Sequence, residues 1–148
     1  MRSLTIVVVE DDQEFRRFVC SLLKSKAEFQ VEVASDGLEA VQRAQELLPD
    51  LILLDIGLPK LNGIEVARLV RTLTPSTRIL FVSALSDPDV VGEALNLGSG
   101  YVHKPSVQSD LLPAIEAVLQ GKRFVSRDLG LGTKMDVPGA GDGSPKGG

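Results

Sequence analysis

Asp55 closes an apolar run, Leu51-Ile52-Leu53-Leu54, and precedes the turn signal Gly57-Leu58-Pro59. Four branched aliphatics bounded by Pro49 and that turn read as a strand covered on both faces, as at the centre of a parallel sheet. A carboxylate at the end of such a strand sits where open α/β sheets bind their ligands, in the crevice beyond the strands' carboxyl ends. There it can meet a metal ion or a phosphoryl group. Three further apolar segments finish on polar groups: Leu4 to Val9 on Glu10-Asp11-Asp12, Ile79 to Val82 on Ser83, and Gly100 to His103 on Lys104. Carboxylates gathered close together raise the pKa of at least one of them unless a cation neutralises the group. Mg²⁺ suits that role, because it takes oxygen ligands and is commonly held by one or two carboxylates with phosphate oxygens and water.

These residues need a scaffold that brings strand ends together. Phe15, Phe18, Val19, Leu22 and Leu23 recur at helical spacing and form a core-facing stripe, with Asp12 placed to cap it. Asn62 and Glu65 have the spacing of a capping box before Ile64, Val66, Ala67 and Val70. Asp87-Pro88 opens another helix, with proline at its first position, and Gly98 closes it. Leu111, Ala114, Ile115, Val118 and Leu119 form the last stripe, and Pro113 within it predicts a late start capped by Asp110. Val31 and Val33 alternate with Glu32 and Ala34 as a shorter strand, after which Asp36-Gly37 turns into a helix over Leu38 to Leu47. Strands alternating with helices in this way predict an α/β fold with right-handed crossovers, a doubly wound parallel sheet of five strands with helices on both faces.

At 148 residues, 43% hydrophobic and 24% charged, the chain has enough apolar content for one full core and no room for two ordinary domains. Its single cysteine, Cys20, excludes an internal disulfide and reads as a partly buried thiol on the first helix. The net charge of −4 argues against direct nucleic-acid binding by this segment. No apolar stretch has the roughly 20 residues a membrane helix needs, and no secretory pattern precedes the first strand, so a cytoplasmic location without membrane contact is expected. After about Leu129 the composition turns to glycine and proline. The expected organisation is a folded domain over 1–127 and a flexible tail over 128–148, too short and polar for an output domain. Phe124-Val125 could add a brief extension.

Glu10-Asp11, Asp55 with Pro59 and Gly63, Ser83-Ala84, Tyr101 and Lys104-Pro105 together resemble the receiver domain of bacterial two-component response regulators, the CheY-like superfamily. Each motif is weak alone; their order at successive strand ends is what is specific. Aligning Phe15-Arg16-Arg17 with that family's first helix makes Glu10 and Asp11 the metal-side pair and leaves Asp12 as the helix cap.

The resemblance implies a flavodoxin-like (βα)5 sheet in the order 2-1-3-4-5. It implies Mg²⁺ ligated by Asp11, Asp55 and the Gly57 carbonyl, with Glu10 acting through water. Asp55 would accept a phosphoryl group from a sensor histidine kinase or phosphotransfer protein, Ser83 and Lys104 would hold the phosphoryl oxygens, and Ser83 with Tyr101 would form the switch. The domain would catalyse its own phosphotransfer and dephosphorylation as a signalling module, not as an enzyme acting on other substrates, and could form a homodimer. A cis Lys104-Pro105 bond would aim the ammonium at Asp55. Gly57 offers no side chain to shield the site from water, and His103 is expected to be a strand-end side chain, not a phosphodonor. The competing readings are an interaction module that keeps the fold without depending on phosphate, and a flavin binder, which is disfavoured because carboxylates occupy the place an anionic cofactor phosphate would take.

Overall fold

A computed structural model describes residues 3–130. Strand and helix alternate from the start: β1 (Leu4–Val9), α1 (Gln13–Leu23), β2 (Phe29–Ala34), α2 (Gly37–Leu47), β3 (Leu51–Leu54), α3 (Gly63–Leu73), β4 (Arg78–Ser83), α4 (Pro88–Leu97), β5 (Gly100–His103), α5 (Val107–Leu119) and β6 (Phe124–Val125). Short 3-10 turns occupy Lys104–Ser106 and Arg127–Leu129. All strand pairings are parallel, in the order β2-β1-β3-β4-β5-β6.

The sheet therefore has six strands where five were expected. Phe124-Val125 continues the ladder beyond β5, pairing Gly100 with Phe124 and Tyr101 with Val125. A two-residue apolar segment carries too little periodicity to announce itself as a strand; β5 supplies the unpaired edge that makes it one. The glycine- and proline-rich tail expected over 128–148 falls outside the described residues from 131 onward.

Side-chain alternation along the strands divides the core in two. Val7, Val9, Ile52, Leu54, Ile79 and Phe81 pack with α2, α3 and α4 through residues such as Ala40, Ala67 and Val91. Ile6, Val8, Leu51, Leu53, Leu80 and Val82 pack with α1 and α5 through Val19, Leu23, Leu111 and Ile115. The central strand β3 is buried along its whole length, which explains why its sequence is continuously apolar instead of alternating.

The helix starts follow the capping chemistry. Asp12, Asp36 and Asp87 each accept a backbone amide as N-caps, and Asn62 with Glu65 completes a reciprocal capping box. Three expectations are corrected. α5 begins at Val107, earlier than Pro113 suggested, and the proline lies inside the helix. Asp110 is not its cap, because its carboxylate accepts the Ser126 hydroxyl at 2.7 Å and so ties the helix to the segment after β6. Phe18, assigned to the core stripe, is 39% exposed on the flank of α1.

One close approach fixes the loop after β3. The Gly63 amide donates to the Ile56 carbonyl at 2.7 Å, and a Cβ at Gly63 would overlap the Asp55 carbonyl oxygen and stand 2.7 Å from the Ile56 Cα. Backbone cannot swing away as a side-chain tip can. Gly63→Ala is predicted to lower the unfolding free energy by roughly 1–3 kcal/mol, the usual range for overpacking, measured by urea denaturation followed by circular dichroism. An unchanged midpoint would show that the loop yields without cost.

Candidate functional site

The sheet ladder runs one residue past two of its strands, and this is what positions the acidic groups. The Glu10 amide donates to the Ala34 carbonyl at 3.1 Å, and the Asp55 amide donates to the Val9 carbonyl at 3.2 Å. Glu10 and Asp55 are buried at 3% and 7% exposure, whereas Asp11 is exposed. One carboxylate oxygen from each of the three lies within 4.8 Å of the others.

Lys104 supplies the counter-charge. Its Nζ lies 2.7 Å from Glu10 Oε1 and 3.2 Å from Asp55 Oδ2, and 4.5 Å from the centroid of the Phe15 ring, over whose face it is further held. The remaining acceptors are partly satisfied by backbone: the Ile56 amide donates to Asp55 Oδ1 at 2.8 Å and the Asp12 amide to Glu10 Oε2 at 3.0 Å. Arg16 donates to the Glu10 backbone carbonyl at 2.8 Å.

The ionisation directions follow from this geometry. Burial raises the Glu10 carboxyl above its usual value, and the Lys104 and Asp12 hydrogen bonds reduce that rise without cancelling it. Burial draws the Lys104 ammonium toward neutrality, but its bond to Glu10 and the charges of Asp55 and Glu10 outweigh the burial and hold it above the ordinary lysine value. Three carboxylates facing one ammonium leave an excess of negative charge. An oxygen donor set with one exposed member and that excess fits a hard divalent cation such as Mg²⁺.

Ser83 and Tyr101 converge on the loop after β4. The Ser83 hydroxyl accepts the Leu85 amide at 3.2 Å, while the buried Tyr101 hydroxyl donates to the Leu85 carbonyl at 2.8 Å and the ring stacks on Phe81 at 6.2 Å. Burial raises the Tyr101 phenol, opposed by the Ser83 bond and reinforced by the Asp55 charge. The residues expected at the site thus fall into two groups: Glu10, Asp11, Asp55 and Lys104 in direct proximity, and Ser83 with Tyr101 bound to one neighbouring loop. Gly57 lies in the loop after Asp55 with open space where a side chain would begin.

The cis Lys104-Pro105 bond is not found, since no peptide among the described residues is cis. Lys104 nonetheless reaches both carboxylates; the 3-10 turn at Lys104–Ser106 and the Phe15 ring settle its course. Phe15 was legible in the sequence only as part of an apolar stripe, and nothing there distinguished a ring beneath the ammonium. The loop after Asp55 is also tied to α2, through the Gly37 amide donating to the Pro59 carbonyl at 3.1 Å and Lys60 pairing with Asp36 at 3.3 Å.

A doubly wound parallel sheet with an acidic crevice and an opposed lysine at its carboxyl edge is the architecture of flavodoxin-like signalling domains. The family model described as the response regulator receiver domain matches residues 6–116, and the chain belongs to that family. It is 32% identical over 114 residues to the chemotaxis protein CheY of Thermotoga maritima, covering 76% of this chain and 95% of that protein. It is 35% identical over 126 residues to the transcriptional regulatory protein LnrK of Bacillus subtilis, covering 83% of this chain and 57% of that one. A crystal structure of a LuxR-family two-component response regulator from Aurantimonas superposes with a TM-score of 0.83 at 30% identity, covering 92% and 99% of the two chains. The chain spans little more than half the length of several curated relatives. Because relatives of this kind are transcriptional regulators by name, kinship gives no support to the expectation that the segment avoids nucleic acid. Among the described residues, no helix is long and apolar enough to cross a membrane.

A divalent cation at Glu10, Asp11 and Asp55 would relieve their mutual repulsion. Mg²⁺ is therefore predicted to stabilise the folded chain, by about 2.7 kcal/mol at a hundredfold excess over its dissociation constant. Protons compete for Glu10, so the gain should shrink as pH falls through its raised pKa. Without Mg²⁺ the sign reverses, because folded Glu10 holds its proton more tightly than the unfolded chain does and its contribution to stability grows as pH falls. Thermal unfolding across pH, with and without Mg²⁺, checks both; a metal effect independent of pH would place the ion elsewhere.

Proposed function

We propose that this chain works in phosphorelay signalling in the cytoplasm, with Asp55 accepting a phosphoryl group from a histidine of a sensor kinase or phosphotransfer protein. The observation that carries this reading is Asp55 itself: buried at a strand end, its two oxygens engaged by the Ile56 amide and the Lys104 ammonium, with the Glu10-Asp11 pair alongside. Glu10, Asp11, Asp55 and the Gly57 carbonyl would hold Mg²⁺, which when bound supplies positive charge to the phosphoryl oxygens.

The chain's own residues would perform the transfer mainly by positioning and charge. The Ile56 amide fixes the Asp55 carboxylate, one oxygen of which attacks phosphorus as the bond to the donor imidazole breaks. The departing nitrogen keeps its electron pair and takes up a proton. Lys104 exchanges its bond to Asp55 Oδ2 for a phosphoryl oxygen, and the Ser83 hydroxyl turns from the Leu85 amide to donate to another. Gly57 adds no side chain that could exclude water, so the domain's own hydrolysis of the aspartyl phosphate remains open on that side. Loss of the Ser83 contact would leave Leu85 held by the Tyr101 hydroxyl alone, and so pass the event to the loop before α4. That change would control a partner or an output domain.

Asp55→Asn is predicted to abolish phosphate uptake from a small-molecule phosphodonor with Mg²⁺ present, read by intact-mass spectrometry. Undiminished uptake would assign the acceptor to another residue, and a wild-type chain that takes up no phosphate would favour a phosphate-independent interaction module.

Beryllofluoride with Mg²⁺ should reproduce the switch. Backbone NMR shifts are expected to be large across residues 83–105 and small along α1 beyond its first turn. Shifts confined to the loops touching the acidic cluster would remove the case for signalling through the β4–α4 side.

A further inference from the structure

His103 is the sole histidine of the chain, and its ring is enclosed, with the side chain 14% exposed. Nδ1 lies 2.9 Å from Asp128 Oδ2 and Nε2 lies 3.2 Å from the Ala84 carbonyl oxygen. A carbonyl oxygen can only accept, and an ionised carboxylate can only accept. Both contacts are therefore hydrogen bonds only when both ring nitrogens carry protons. A neutral ring of either tautomer turns one nitrogen lone pair toward an oxygen lone pair and loses that arm.

The surroundings keep Asp128 in the state this needs. Burial pushes its carboxyl upward, but the His103 and Ser106 hydrogen bonds and the His103 charge outweigh it and leave the group below the usual carboxylate range. Ser106 donates to the same Oδ2 at 2.9 Å. The other charged groups nearby are otherwise engaged: Lys104 points to Glu10 and Asp55, and Asp110 of α5 accepts the Ser126 hydroxyl, whose oxygen in turn accepts the His103 amide at 3.0 Å. Arg127 borders the same crevice as Asp128 and Asp110.

The two acceptors belong to different parts of the fold. Ala84 begins the loop after β4, next to Ser83 and to Leu85, the residue that Tyr101 holds. Asp128 lies in the 3-10 turn after β6. We propose that the doubly protonated His103 ring is a clasp joining the loop after β4 to the segment after β6, and that loss of one ring proton to solvent releases an arm and uncouples the two. The clasp makes the segment after β6 responsive to pH and to movement of the Ala84 loop. It rests on acceptor chemistry alone and does not require that Asp55 be phosphorylated.

The test uses the full chain, unphosphorylated and without metal. An NMR titration between about pH 5 and about pH 8, where imidazoles change charge, follows the His103 ring nitrogens together with the amides of Leu85 and of residues 128–129. Both ring nitrogens should show protonated shifts at the acidic end, and the amides on both segments should follow the same curve as the ring. His103→Phe should flatten the pH response at both segments and lower amide-exchange protection over residues 126–129. If that variant fails to fold, the wild-type titration decides by itself. A ring that titrates while either segment stays still, or that keeps a single proton throughout, would overturn the clasp.

Discussion

The ammonium of Lys104 between Glu10 and Asp55 is the contact on which the rest of the crevice depends. Two carboxylates buried at neighbouring strand ends repel each other and each loses hydration, a penalty of several kcal/mol per ion even after relaxation. Lys104, the Ile56 and Asp12 amides and the Phe15 ring together make that burial tolerable. They do not neutralise it, since Asp11 adds a further negative charge at the solvent edge. The three carboxylates are therefore close enough to hold a cation between them.

Strand order determines who can take part. β1 and β3 are neighbours, so Glu10 and Asp55 leave adjacent strands, while β5 lies one strand further out beyond β4. Lys104 must cross the end of β4 to reach Asp55, which leaves Ser83 between them along the edge of the sheet. A long flexible side chain is suited to that span, and its stem can lie on an aromatic face while the head remains charged.

The loops on the two sides of Asp55 are held by different means. The loop from Asp55 to Gly63 is fixed through backbone groups, at Gly63 to Ile56 and Gly37 to Pro59, with glycines where a Cβ would strike main chain. The loop after β4 is held by side chains, from Ser83 and Tyr101 to Leu85 and from His103 to Ala84. Side-chain hydrogen bonds can exchange partners without breaking the sheet, whereas the backbone bonds of the first loop hold Asp55 in place.

Much of this was readable in the chain. Continuous aliphatic runs, helical stripes and capping residues determine the alternation of strands and helices, because each is a local pattern with a local cause: β3 must be buried on both faces, and Asp12, Asp36, Asn62 and Asp87 stop the chain where a helix begins. The polar residue closing each of four strands likewise showed where chemistry could gather. The sequence could not say which side chains would touch. Phe15 beneath Lys104, β6 beside β5, Asp110 given to Ser126 instead of its own helix, and His103 spanning Ala84 and Asp128 all join residues far apart in the chain. Such contacts depend on sheet order, on edge pairing and on side-chain direction, which no local pattern encodes and which only the packed structure decides.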